Sequence, residues 1–363
     1  MIINSKNTSF FNQPELHFSS DKSSWEEEKL GSNILLTTGK LDANASNENG
    51  NYAFFTCNKE TLKTDTYAFD CDAILINGNG DLGFTRKYSG KFNAYQRTYV
   101  LTNFKHNFAY LEEVIKKYLP KKVSQEAFGG AMPYIRANTI TDLDIYTPSM
   151  KIQEKVSCLL SNIEEKIKKQ EILLNKLKNT KASLLIKMFP QNNEDIPELR
   201  FAGFTDTWEQ RKLGEIYKFK YGEFNNNPSN GGEFPVFGAN GIIGGYTKYN
   251  SEDAVIIGHM GEYAGSVLWG KGKHFVTYNG TISKPKVNFI NSKFGYYVLY
   301  QKNINKICAG SGLPFLSYEQ LNQIEIYYPN NIIEQIKISK FFTNIDSLIT
   351  LHQHKPFHLN FSL

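Results

Sequence analysis

Two groups of basic, amide and aromatic side chains stand out in this chain. The first is Arg86, Lys87, Tyr88, Lys91, Tyr95, Gln96 and Arg97; the second is Trp269, Lys271, Lys273, His274, Tyr278 and Asn279. Arginine and lysine neutralise phosphates. Arginine, glutamine and asparagine also present paired hydrogen-bonding groups that match the edges of bases. Singly, such residues are more often part of a solvated, charged loop. Their recurrence in both halves points to a nucleic acid contacted at two places. The candidate contacts are Arg86, Lys87, Lys91, Tyr95, Gln96 and Arg97, then Lys271, Lys273, His274, Tyr278 and Asn279.

Catalytic chemistry is harder to find. The sequence holds no Walker P-loop, no HExxH and no GxSxG. No pair of carboxylates recurs in both halves as general acid and base would. Asn77-Gly78-Asn79-Gly80-Asp81-Leu82-Gly83 resembles a dinucleotide loop only superficially, because the segment after it does not look helical. This stretch and its counterpart Gly258 to Gly265 read as tight turns between strands, with glycine supplying positive φ. The same turns would let backbone approach a ligand closely, and both readings stand. His352, His354 and His358 lie close together without a supporting acid or thiol cluster, so no metal site is expected. Cys57, Cys71, Cys158 and Cys308 form no CxxC, which fits isolated thiols in a reducing cytoplasm.

The elements that must position these residues occur twice. Pro14-Glu15-Leu16-His17-Phe18, Trp25 and Lys29-Leu30-Gly31 return 183 residues later as Pro197-Glu198-Leu199-Arg200-Phe201, Trp208 and Lys212-Leu213-Gly214. Asp72 to Ile76 returns as Asp253 to Ile257, and Ile145-Tyr146-Thr147-Pro148 as Ile326-Tyr327-Tyr328-Pro329. A repeat this long is a duplicated domain rather than a solenoid unit. Short apolar and β-branched runs bounded by turn residues read as strands: Asn51–Phe55, Ala73–Ile76 and Thr98–Leu101. Phe108 to Leu119 carries helical spacing and is expected to stop before Pro120, with Phe294 to Gln301 in the matching place. The fold class is therefore α+β.

A second pattern follows each repeat. Val156, Leu160, Ile163, Ile167, Gln170, Leu174, Leu177, Lys181, Leu184 and Met188 alternate spacings of four and three, the seam of a coiled coil. Ile338, Phe342, Ile345, Ile349 and His352 each lie 182 residues after a seam position. Two copies of one helix can pair antiparallel about a pseudo-twofold axis. The chain thus divides into an N-terminal tail (1–13), a first domain (14–150), a central helix (151–190), a second domain (191–330) and a C-terminal helix (331–363). The seam position matching Leu174 is Pro356. That predicts a shortened second helix, a less stable rod, and no intrachain partner for Val156, Leu160, Ile163 and Ile167.

With 363 residues, 40% hydrophobic and 21% charged, the chain has the composition of a folded two-domain protein. A net charge of +5 permits an anionic partner without requiring one. No apolar run reaches the ~18 to 20 residues that cross a bilayer, so no membrane is expected as a partner.

These motifs resemble the specificity (S) subunit of Type I restriction-modification systems. The likeness is carried by the entry Pro197 to Phe201 through Trp208 to Gly214, by Lys187-Met188-Phe189-Pro190, and by the exit Gly312-Leu313-Pro314-Phe315-Leu316-Ser317. It continues through Ile324 to Pro329, Glu334 to Ile338 and Phe341 to Ile349. The resemblance implies two target-recognition domains joined by long helices in an antiparallel coiled coil, each reading one half of a bipartite site on double-stranded DNA. It implies that the helices dock modification (methyltransferase) subunits, that restriction (translocase-nuclease) subunits complete the complex, and that this chain is not itself an enzyme. S-adenosylmethionine, ATP and Mg are then expected on the partner subunits, and the complex in the cytoplasm. The other readings are a coiled-coil scaffold presenting two protein-binding modules, and an inactive truncated allele.

Overall fold

The computed structural model of the chain describes residues 25–126, 133–191, 194–224, 231–286, 289–308 and 314–354. Pro14 to Phe18, Gly312, Leu313, Pro356 and His358 lie outside the described residues. The chain forms two compact units, Met1–Ile167 and Lys168–Leu363.

In the first unit the strands are β1 (Glu26–Lys29), β2 (Leu35–Thr38), β3 (Tyr52–Phe55), β4 (Thr61–Thr64), β5 (Phe69–Asn77), β6 (Thr85–Ala94), β7 (Thr98–Thr102) and β8 (Asp144–Thr147). The helices are α1 (Phe108–Glu126), α2 (Ala137–Thr141) and the first part of α3 (Met150–Lys187). Six strands form one sheet in the order β2-β7-β5-β6-β3-β4, and β1 pairs with β8 in a separate ribbon. Only β3 and β6 run parallel in that sheet.

The second unit repeats this plan. It contains β9 (Glu209–Lys212), α4 (Leu213–Ile216), β10 (Tyr217–Tyr221), β11 (Phe234–Gly238), β12 (Gly241–Tyr246), β13 (Ser251–Gly258), β14 (Val267–Val276), β15 (Gly280–Pro285), α5 (Ser292–Gln301), α6 (Tyr318–Gln323), β16 (Glu325–Tyr328) and α7 (Ile332–His354). Its sheet runs β10-β15-β13-β14-β11-β12, the same order strand for strand, with β11 and β14 as the parallel pair and β9 against β16.

The unbroken apolar run in the central strand follows from burial on both faces. Ile74 and Ile76 pack with Leu111 and Ile115 of α1, whereas Ala73 and Leu75 pack with Phe55 and Phe92 on the other face. In the second unit Val255 and Ile257 meet Phe294 and Tyr297 of α5, and Ala254 and Ile256 meet Phe237 and Val276. The turns after the central strands have Gly80, Gly83, Gly261 and Gly265 at positive φ, as expected of tight turns.

One helix boundary differs from expectation. α1 does not stop before Pro120 but runs through it to Glu126. Proline forfeits one backbone hydrogen bond, yet Leu111, Ile115, Leu119 and Val123 recur every four residues and all are buried. That stripe holds the helix together across the proline.

The same glutamine anchors each long helix to its unit. In the first, Gln153 accepts from the Asn107 N–H (3.0 Å) and donates to the Pro148 carbonyl (2.8 Å). In the second, Gln335 accepts from the Asn291 N–H (2.7 Å) and donates to the Pro329 carbonyl (2.8 Å). Within the second unit α3 and α7 pair antiparallel: Gln170 donates to the His352 carbonyl (2.7 Å), while further along α3 Lys181 meets Asp346 (2.6 Å), earlier in α7.

Most of the seam residues are at least partly covered. Leu160, Ile163, Leu174, Leu177 and Leu184 are partly buried, Ile338 and Phe342 fully, and Ile345 and Ile349 partly. Ile167 is 37% exposed. Val156 is not without an intrachain partner, because it packs against the core of the first unit.

Candidate nucleic-acid interface

In each unit five separate segments are stitched together at the C-terminal end of the central strand, by the same four backbone hydrogen bonds. In the first unit the Gly78 N–H donates to the Arg97 carbonyl (2.9 Å), Ile135 N–H to the Gly78 carbonyl (3.0 Å), Gly39 N–H to the Thr98 carbonyl (3.2 Å) and Tyr95 N–H to the Phe55 carbonyl (2.9 Å). In the second the His259 N–H donates to the Asn279 carbonyl (3.1 Å), Leu316 N–H to the His259 carbonyl (2.8 Å), Gly222 N–H to the Gly280 carbonyl (2.8 Å) and Thr277 N–H to the Phe237 carbonyl (2.9 Å). Gly39 and Gly222 are required by close approach. A Cβ there would lie 1.9 Å from the Ala94 carbonyl oxygen and 2.1 Å from the Thr277 carbonyl oxygen, respectively.

These shared bonds pair the two units residue by residue. Thr38 stands where Tyr221 does, Gly78 where His259 does, Gln96 where Tyr278 does, Arg97 where Asn279 does, and Tyr134 where Phe315 does. The contents of the two seats differ. In the first unit Thr38, Gly78, Gln96, Arg97 and Tyr134 line an open pocket of about 330 Å³. Gln96 donates to Asp42 (3.0 Å) beside it.

In the second unit aromatic rings occupy that seat. Tyr221 stacks on His259 (4.4 Å between ring centres) and on Tyr318 (4.0 Å), and Tyr278 and Phe315 meet His259 edge-on at 5.3 and 5.7 Å. His259 is fully buried, and neither ring nitrogen has a partner at hydrogen-bond geometry. Burial holds its pKa below the usual histidine value, against a smaller opposing pull from the nearby Asn279 backbone. Tyr278 and Phe315 remain 48% and 44% exposed.

Only some of the residues expected to contact nucleic acid come to this place. Tyr95, Gln96 and Arg97 form the turn between β6 and β7, and Tyr278 and Asn279 the matching turn between β14 and β15. Lys91 and Lys273 lie elsewhere but are equivalent to one another. Each ammonium sits over an exposed tyrosine, Tyr67 at 4.7 Å and Tyr249 at 4.8 Å, and those tyrosines are equivalent too. Lys271 is exposed on β14.

Three expectations need correction. Arg86 is stitched to the carbonyls of Asn58 and Lys59 (3.0 Å to Lys59) and lies over the Phe84 ring, so its guanidinium is spent inside the unit. Lys87 is paired with Glu112 of α1 at 3.0 Å. His274 is fully buried, its Nδ1 2.8 Å from the Gly272 carbonyl oxygen, and burial lowers its pKa. Sequence reasoning missed Tyr221, His259, Phe315 and Tyr318. Among the described residues no group of three His, Cys, Asp or Glu side chains could hold a metal ion, and no helix is long and apolar enough to cross a membrane.

The duplication is also found by comparison with known proteins. The family model for the Type I restriction modification DNA specificity domain matches twice, over residues 22–179 and 205–360. The chain belongs to the Type I restriction-modification DNA specificity family. It is 34% identical over 210 residues to the Type I restriction enzyme EcoDI specificity subunit of Escherichia coli, covering 57% of this chain and 46% of that protein. It therefore spans about half the length of that relative. It is 24% identical over 349 residues to a putative type I specificity subunit of Mycoplasma genitalium, covering 91% of this chain and 89% of the relative.

The crystal structure of an S subunit from M. genitalium superposes with a TM-score of 0.74 at 20% identity, covering 93% of this chain and 94% of that one. A structure described for complex assembly and conformational transition of the type I R-M system gives 0.50 at 15% identity, covering 90% and 91%. These likenesses establish the α+β fold with two sheet-and-helix domains and long helices. Each matched specificity domain includes one six-stranded sheet with its loop cluster.

Proposed function

We propose that this chain is the DNA-reading subunit of a Type I restriction-modification complex. Each unit uses its loop cluster to read one half of a bipartite site on double-stranded DNA. The observation that carries this reading is the pair of loop clusters, held by four matching backbone hydrogen bonds and different in side chains. One frame used twice with two contents suits two half-sites of different sequence. The free turn residues Arg97 and Asn279 are of the types that read base edges, and Lys91 and Lys273 suit phosphates.

The long helices carry the two units and offer docking faces to methyltransferase subunits. Those subunits hold S-adenosylmethionine. Restriction subunits hold ATP and Mg, and this chain contributes recognition rather than catalysis. Such a complex works in the cytoplasm, where the DNA is.

The test is single-molecule sequencing of modified bases in the host genome with and without the gene. Loss of methyladenine from one bipartite motif on deletion is the expected result. An unchanged methylation pattern, with salt-insensitive binding to a protein and none to DNA, would instead favour a scaffold.

A further inference from the structure

The equivalence of Arg97 and Asn279 goes one step beyond DNA recognition as such, and rests on that reading. Both are the last residue of a three-residue turn, and both carbonyls accept the N–H that opens the turn after the central strand, at 2.9 and 3.1 Å. Their Cα atoms are thus fixed at the same place in the same frame. Both side chains are exposed, and neither makes a hydrogen bond or ion pair among the described residues. Their neighbours are used differently. Gln96 is turned to Asp42, while Tyr278 leans on His259. In each unit the last residue of the turn is therefore an uncommitted polar side chain.

We infer that this position is the specificity-determining base contact of each unit, with Arg97 reading a guanine in the first half-site and Asn279 an adenine in the second. The chemistry selects the bases. A guanidinium presents parallel N–H donors and no acceptor, which matches the O6 and N7 acceptors of guanine. A carboxamide presents one donor and one acceptor, which matches N7 and the N6 amino group of adenine.

The surroundings agree. The long arginine has an open pocket of about 330 Å³ beside it, lined by Gly78 and Thr38, in which to settle against a base. In the second unit the stacked rings of His259 and Tyr221 occupy the equivalent seat next to the shorter asparagine, whose carbonyl accepts from the His259 N–H. Buried and without partners for its ring nitrogens, His259 serves to fill the seat.

The full chain is assembled with its methyltransferase subunits, and modified-base sequencing is combined with binding to duplexes that vary one base pair at a time. For Arg97→Asn the expected result is that one guanine in the first half-site gives way to adenine. The preference at that base pair should change by about 10- to 100-fold, while the second half-site stays the same. Asn279→Arg should do the reverse in the second half-site only. Arg97→Lys keeps the charge and loses the fork. It should relax the guanine requirement while largely retaining affinity.

The inference is overturned if the motif of Arg97→Asn is unchanged, or if binding weakens equally on all sequences with a shallower salt slope, the sign of a phosphate contact. It is overturned as well if the unaltered complex reads no motif, an outcome that removes the DNA-recognition reading itself. A clear motif for the unaltered chain with an unmoved one for the variants removes only the base assignment. Both residues are exposed, so the variants leave the core intact, and a melting curve matching that of the unaltered chain confirms it.

Discussion

The two loop clusters share a frame and differ in what fills it. Gly78, Thr38 and Gln96 leave a pocket where His259, Tyr221 and Tyr278 build an aromatic stack. Backbone bonds at matching positions hold both. The lesson is a division of labour between backbone and side chain. Close-approach glycines and backbone hydrogen bonds set where the turns stand, and the side chains at those turns are left to vary. A duplicated domain can then present two chemistries without refolding either copy.

The largest expected contrast lies between the long helices. Phe342 of α7 is fully buried among Phe189, Tyr297 and Phe341. Its counterpart 182 residues earlier, Leu160 of α3, is only partly buried. Phe342→Ala should cost about 3–5 kcal/mol in chemical denaturation of the second unit. Leu160→Ala should cost clearly less, and equal losses would break the contrast.

Next is a buried ion pair. Glu334 is fully buried and accepts from both Nε and a terminal nitrogen of Arg200, at 2.7 and 2.8 Å. Glu334→Gln leaves a largely buried guanidinium without its counter-charge and should cost about 3 kcal/mol. The melting transition of the second unit should fall while that of the first stays.

A pH difference should follow. His259 and His274 both have pKa values lowered from 6.5, chiefly by burial. Well above pH 6.5 neither the folded nor the unfolded form binds the proton appreciably, and the stability is complete. As pH falls below 6.5 the unfolded histidines take up protons that the folded ones refuse, so the second unit loses stability toward acid. The corresponding residues of the first unit, Gly78 and Phe92, do not titrate. Melting curves from pH 7.5 to 5 should show the second unit falling first, and His274→Phe should shrink that loss.

The smallest effect concerns Lys91 and Lys273. As phosphate contacts, each replaced by Ala should reduce the slope of log affinity against log salt by about 0.9. The motif should not change. A changed base preference would move these lysines into the reading set.

Much of this fold was legible in the chain. The duplication showed itself in the 183-residue offset, and the strands in apolar runs such as Ala73–Ile76. The four-three seam on α3 falls mostly on partly covered positions, but Ile167 is 37% exposed while Ile152 and Leu185, off the seam, are buried. The passage of α1 through Pro120 was not legible, since local propensity favoured a stop and the buried stripe to Val123 overrode it.

The loop clusters were half legible. Gln96, Arg97, Tyr278 and Asn279 were recognisable by type. Arg86 and Lys87 were misread because charge alone does not reveal a partner such as Glu112, 25 residues away in sequence. Tyr221, His259 and the pair Phe315 and Tyr318 come from three separate segments, and only folding brings them together. A residue-by-residue alignment of the repeats would have flagged His259, which stands where the first repeat has Gly78.

The most direct test of two independent readers is to exchange residues 14–150 for those of another member of the family, keep the rest of the chain, and sequence the modified bases made by the assembled complex. The account predicts that one half of the bipartite motif changes, while the other half and the spacing between them persist. A motif altered in both halves, or in neither, would contradict it.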